Sequence, residues 1–249
     1  VSVLLSEDRG AVRILTLNRP EKRNAFDVVL ASALTDALAR AGADDAVRAV
    51  VVTGNGPYFT AGVDVNVFVG MAQGGDLSQL VRLHEPIRDC TKPVIAAVQG
   101  PSVGMGVTLL PHFDMVYAAE HATFMVPFMR LGLGVEFAGS FHLTRTLGLA
   151  RTKELVLRGK PIDAATAERW NLVTRIFPGE SLLPNVLEIA SDIAAQPAGA
   201  VKDARSVLGK GLETLEAEAA LAEENRILSS RYGSPENVEA VMAFLSRKK

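Results

Sequence analysis

Residues 92–110, KPVIAAVQGPSVGMGVTLL, decide how the chain folds. Val94 to Val98 is an unbroken apolar run, as a strand buried on both faces requires. It stops at Gly100 and Pro101, and two more glycines, Gly104 and Gly106, lead into the start of a helix. Glycines after a strand let the backbone approach a ligand closely, with N–H groups pointing outward. The same order stands upstream. VRAVVVTGN (Val47–Asn55) is a second apolar run ending at Gly54 and Gly56, and YFTAGVD (Tyr58–Asp64) follows it. On spacing alone, each turn reads as a tight connection or as a ligand cradle. Neither completes G-x-G-x-x-G, and G-x-x-x-x-G-K-[ST] is absent, which argues against a nucleotide-phosphate cradle.

Outward from these turns the chain alternates strands and helices. AVRILTLN (Ala11–Asn18) alternates apolar and polar residues as a half-buried strand does. NRPEKRNA breaks the pattern, and FDVVLASALTDALARAGAD has helical spacing with Asp27 as N-cap. The polar stretch Asn66–Ser78 reads as a mobile loop entering a helix, LSQLVRLHEPIRDC. DMVYAA and ATFMV are short strands. From Gly139 onward, AGSFHLTRTLG, LARTKELVLRG and DAATAERWNL read as helices, VTRIF as a last strand, and ETLEAEAALAEENRILSSRYGS as a long charged helix. SPENVEAVMAFLSR opens with a Ser-Pro helix start. The expected fold is α/β, built of stacked ββα turns. Residues 1–195 would form the core and residues 196–249 a helical region, too polar to be a core alone and expected to pack on a neighbouring subunit.

The chain has 249 residues, 48% hydrophobic and 22% charged, with a formal net charge of −2. That suffices for a sizeable core and carries no basic excess to draw nucleic acid. No apolar run reaches membrane-span length, so neither a membrane nor a nucleic acid is an expected partner. A single cysteine, Cys90, excludes an intrachain disulfide and reads as an inert, at least partly buried thiol. His84, His112, His121 and His142 fall in separate elements without ligand spacing, so they read as packed or surface histidines and no metal site is expected. The opening VSVLLSEDRGAV lacks a basic-then-apolar leader pattern and the closing FLSRKK is not a peroxisomal address. The cytoplasm is the expected compartment.

Three motifs in register are specific. NRPEKRNAF, then FTAGVD, then KPVIAAVQGPSVGMGVTLLPHFDMVYA resemble the enoyl-CoA hydratase/isomerase (crotonase) family, over about Ala11 to Pro178. The resemblance implies a ClpP-like spiral of ββα units with a C-terminal helical trimerisation region, assembled as a trimer or hexamer. It implies an acyl-CoA substrate of fatty acid metabolism, with coenzyme A part of the substrate and no separate cofactor. It implies an oxyanion hole formed by the backbone N–H groups of Val63 and Met105. Preorganised donors of this kind are worth about 2.7–4 kcal/mol each, and the side chain behind a main-chain donor matters little. It also places substrate along Lys22, Arg23 and Ala25 for coenzyme A, along Ala61, Gly62, Asp64, Val65 and Gly104 at the turns, and along Val126, Phe128 and Leu131. Lys22 and Arg23 read equally as solvated turn charges. Asp64 reads as a loop-holding residue.

The same resemblance puts the two hydratase glutamates at Thr108 and Phe128, and neither side chain can activate water. MRLGLGVEFAGS (Met129–Ser140) is similar to the peroxisomal type of Δ3,Δ2-enoyl-CoA isomerase, in which one glutamate of this loop is the base; here it is Glu136. From the residues alone, Glu136 is equally a first-turn helix glutamate favoured by the macrodipole. Val126, Phe128, Val135 and Phe137 would wall it from water. Burial should raise its pKa and the following helix N-terminus lower it, so the net sign stays open.

Overall fold

A computed structural model describes residues 2–67, 78–210 and 215–246. The two apolar runs pair as expected. Strands β1 (Leu4–Arg9), β2 (Val12–Leu17), β3 (Ala49–Gly54), β4 (Val94–Val98), β6 (Met115–Ala119) and β9 (Arg175–Phe177) lie in that order in one sheet. Only the β1–β2 pair is antiparallel. A second sheet, almost hidden in the sequence, joins β5 (Ser102–Val103), β7 (Thr123–Met125) and β8 (Ile162–Asp163).

Alternation along each central strand sends its side chains into two cores. Val50, Val52, Val94, Ala96 and Val98 share one core with helix α1 (Val28–Ala43), which buries Leu30, Ala31, Leu34, Leu38 and Ala41. Ala49, Val51, Ile95 and Ala97 face a helix that the sequence reading did not single out, Leu182–Ala194, through Leu182, Val186 and Ala190. Helices on both faces explain why these strands are apolar throughout. Asp27 caps α1 as expected, its carboxylate accepting from the Leu30 N–H at 2.8 Å.

The expected mobile loop at 66–78 lies largely outside the described residues. The helix expected after it is interrupted: Ser78–Val81 and α2 (His84–Asp89) are separate segments. Beyond Gly100 come α3 (Met105–Thr108), then α4 (Gly139–Leu147) and α5 (Leu149–Arg158) after the loop that carries Glu136. Helix α6 (Ala164–Arg169) precedes β9, and α7 is the Leu182–Ala194 helix.

The tail is helical as expected: α8 (Ala198–Lys210), α9 (Leu215–Arg231) and α10 (Pro235–Ser246) each make contacts within their own chain. Arg205 of α8 pairs with Asp114 at 2.8 Å and donates to the carbonyls of Ile87, Arg88 and Cys90. From α9, Glu224 and Leu228 are buried; from α10, Asn237 donates to the Leu131 carbonyl at 2.7 Å. A charged helix can cover a polar site where it could not form a core. No helix among the described residues is long and apolar enough to cross a membrane.

Gly100 lets the two turns approach. A Cβ there would sit 2.0 Å from the Pro57 carbonyl oxygen, whereas one at Gly199 meets nothing within 4 Å. Gly100→Ala should therefore lower unfolding free energy by about 1–3 kcal/mol, and Gly199→Ala by at most about 0.5 kcal/mol. Urea melts of both variants check this. Equal midpoints would mean the turn relaxes without cost.

Candidate active site

The two glycine turns are tied to each other by backbone bonds. Thr60 and Ser102 form a parallel bridge, Val103 N–H donating to the Thr60 carbonyl at 3.0 Å. Phe26 N–H donates to the Gly62 carbonyl and Asp64 N–H to the Phe26 carbonyl, at 2.7 and 2.8 Å. In extended chain successive peptides face opposite ways, so this pairing turns the Val63 N–H away from Phe26. Among the described residues it has no hydrogen-bond acceptor, nor does the Met105 N–H at the start of α3. The two segments are in contact, since a Cβ on Gly62 would lie 2.6 Å from the Val103 carbonyl oxygen and 3.6 Å from the Met105 nitrogen. Gly62 (φ 85°) and Gly104 (φ 55°) hold the left-handed backbone this needs.

The RPEKRNA turn runs alongside. Ala61 N–H donates to the Arg23 carbonyl and the Thr60 hydroxyl to the Asn24 carbonyl. Lys22 is exposed; Arg23 is exposed with its guanidinium over the Tyr58 ring; Ala25 is buried. Ala61, Val63 and Val65 are half-buried around the turn. Asp64 does hold the loop: its carboxylate accepts from the Asn66 N–H at 3.1 Å and pairs with Arg19 at 3.2 Å. Arg19 also reaches Asp27, and Asn24, wholly buried, ties the turn to the Asn55 and Tyr58 carbonyls. The sequence reading missed both organisers, because an Asn and an Arg in a polar turn look like ordinary solvated residues.

Glu136 lies beside the helix that begins at Met105. Its carboxylate is 3.4 Å from the Thr108 hydroxyl, and Thr108 is one helical turn from Met105, about 4.5 Å along the axis. The residue is half-buried, open on one side while protein surrounds the carboxyl. Burial pushes its pKa up to about 8, against a lowering by Thr108 and with a further rise from Glu224. That signs the shift left open by the sequence.

The apolar residues expected around Glu136 are all at least half-buried: the Phe128 ring lies against Gly104, and Val135 is half-buried. Leu131, also half-buried, packs against the core. Phe137 and Val126 are buried, at 1% and 0% exposure. Phe137 turns to His84, with ring centroids 5.2 Å apart.

Three of the histidines are packed, and they gather in one place. His84 and His112 have ring centroids 5.0 Å apart, and His112 and His142 4.7 Å, because α2, the turn after α3 and α4 converge behind the Glu136 loop. Among the described residues no group of three ligating side chains is placed to hold a metal. His112 Nε2 lies 2.9 Å from the Phe137 carbonyl oxygen, so it carries the proton and donates. A separate surface cavity of about 330 Å³ between Arg48, Lys92 and Lys202 opens at the other ends of β3 and β4, away from the glycine turns.

A sequence profile described as enoyl-CoA hydratase/isomerase matches residues 7–249. A probable enoyl-CoA hydratase of Rhizobium meliloti is 36% identical over 99% of this chain and 96% of its own length. Human enoyl-CoA delta isomerase 2 is 36% identical over 99% of this chain, which spans 63% of the human protein. The crystal structure of an enoyl-CoA hydratase/isomerase from Pseudoalteromonas atlantica superposes with a TM-score of 0.91, at 36% identity, covering 98% of this chain and 97% of that one.

The buried imidazoles make stability depend on pH. Burial holds His84 at about 4, His112 at about 3 and His142 at about 4, whereas unfolded histidine titrates near 6.5. Between these values the unfolded chain binds protons that the folded imidazoles do not, so the stability these three rings contribute is full above pH ~6.5 and falls toward pH ~4, outweighing the opposite effect of the raised Glu136 and Glu224 carboxyls. Urea midpoints should decline through that window, and less steeply in His112→Gln. A flat profile would show that the three rings are protonated without cost.

Proposed function

This chain belongs to the enoyl-CoA hydratase/isomerase family, and on that premise we propose that it is a Δ3,Δ2-enoyl-CoA isomerase with Glu136 as its single proton carrier. The observation that carries this reading is the Thr108–Glu136 contact at 3.4 Å, which sets one carboxyl group a helical turn from the Met105 N–H. The name of the human relative points the same way. The name of the Rhizobium relative favours hydration instead. Against that stand Thr108 and Phe128, at the two places where the family resemblance puts the hydratase glutamates: an alcohol and a phenyl ring leave water without a base.

In this reading the thioester carbonyl oxygen accepts from the Val63 and Met105 N–H groups. Ionised Glu136 takes a proton from C2 of a 3-enoyl-CoA. The C–H electrons pass through C1 to the oxygen, giving a dienolate that the two donors stabilise. The protonated Glu136 then delivers the same proton to C4, the double bond settles between C2 and C3, and the carboxylate is restored. No water is added or lost. Phe128 and Val135 limit the access of solvent that would exchange the proton. Lys22, Arg23 and Ala25 would meet the coenzyme A part of the substrate, and no further cofactor is needed. The assembly we propose is a trimer or hexamer, for which Val207 and Leu208 of α8, 69% and 77% exposed, offer apolar surface.

With 3-hexenoyl-CoA the protein should form the conjugated 2-enoyl thioester, seen by its absorbance, and should leave 2-hexenoyl-CoA unhydrated. Because the base must be ionised, kcat/KM should rise with pH through about 8, the value to which Glu136 is raised. Glu136→Gln should cut kcat by about 10²–10⁴ with KM little changed. Hydration of 2-hexenoyl-CoA, or an active Glu136→Gln enzyme, would sink this reading.

A further inference from the structure

The residues after Glu136 are strained. Phe137 (φ 58°) and Ala138 (φ 51°) are consecutive non-glycine residues in the left-handed region, a conformation that costs of order 1–3 kcal/mol per residue and persists only where neighbours enforce it. Two groups outside the loop bracket this pair. His112 holds the Phe137 carbonyl on one side. On the other, the Glu224 carboxylate accepts from the Ser140 N–H at 2.7 Å.

Ala138, the residue before α4, supplies no side-chain cap, so the free N–H groups of that helix need an acceptor from elsewhere. Glu224 reaches them from α9, more than eighty residues away in sequence. It is 6% exposed, and its second oxygen, Oε2, has no hydrogen-bond partner. A carboxylate with one oxygen left unsatisfied in the interior is poor design for stability alone. Nearby, Gly134 abuts Ile227 and Leu228 of the same helix, so α9 lies along the whole loop.

We propose that Glu224 is a positioning residue for Glu136: by capping α4 from the C-terminal helix it clamps the left-handed Phe137–Ala138 turn and so aims the Glu136 carboxyl at the substrate. The tail is thereby part of the active site of its own chain. This inference rests on the reading of Glu136 as the base. The titratable groups that face Glu136 are Glu224 and Tyr232, whose phenol is pushed up by burial and by Glu136. Among the described residues no cation joins them. An ionised Glu224 therefore adds to the rise in the Glu136 pKa that burial begins.

The experiment compares full-length wild type, Glu224→Gln, Glu224→Ala and Glu136→Gln on 3-hexenoyl-CoA across pH, with exchange of the Ser140 amide hydrogen measured in each. Glutamine keeps an acceptor for Ser140 and removes the charge; alanine removes both. Glu224→Ala should lose about 10- to 100-fold in kcat with KM little changed, and its Ser140 amide should exchange faster. Glu224→Gln should recover most of the kcat while the acid limb of kcat/KM moves to lower pH. Wild-type kcat in Glu224→Ala overturns the proposal. Should that variant not fold, an unmoved acid limb in Glu224→Gln overturns it instead. If Glu136→Gln stays active, the base assignment itself has failed, whatever Glu224 does. If Glu136→Gln is dead and both Glu224 variants behave as wild type, only the clamp has failed.

Discussion

The parallel bridge between Thr60 and Ser102 is the contact on which the rest of the site depends. It joins the ends of two adjacent parallel strands, β3 and β4, after each has left the sheet. Backbone-to-backbone contact at this range leaves no room for a Cβ at Gly62 or Gly100, where one would come within 2.6 and 2.0 Å of carbonyl oxygens; at Gly106 one would meet the Thr60 side chain at 2.4 Å. Phe26 occupies the far side of the first turn and leaves the Val63 N–H facing the other way. The arrangement of donors is therefore a consequence of how extended chains pair, with no side chain required to create it.

The Glu136 carboxyl depends on different physics. It sits on a loop whose next two residues adopt an unfavourable conformation, with His112 from the turn after α3 on one side of that pair and Glu224 from the C-terminal helix on the other. Thr108 of α3 meets the carboxyl itself. Burial does two things here. It keeps the three imidazoles neutral, so His112 donates as a neutral N–H, and it raises Glu136 toward the pKa of a useful base. One environment thus underlies both the expected weakening of stability in acid and the role proposed for Glu136.

The C-terminal helices gain meaning in this light. Arg205, Glu224, Leu228 and Asn237 engage the chain that carries them. Arg205 gathers Asp114 and three carbonyls at the edge of the core, and Asn237 holds the Leu131 carbonyl in the turn before the Glu136 loop. A polar helix meets a polar, strained loop, and hydrogen bonds join the two.

Much of this was legible in the residues. Unbroken apolar runs identified β3 and β4 as strands covered on both faces, glycines marked where backbone had to approach backbone, and Asp27 announced the start of α1. These are local signals, readable because each depends on residues a few positions apart. Motif order carried the family, and with it the expectation that Glu136 is the base. Tertiary structure alone decided the rest. Three histidines scattered over 59 positions became neighbours, Arg19 and Asn24 became the organisers of a turn, Phe137 came to rest against His84, and Glu224 reached a helix end far from it in sequence. The sign of the Glu136 shift belongs to this second group. Desolvation depends on how many atoms from distant segments crowd a carboxyl, and no pattern along the chain records that number.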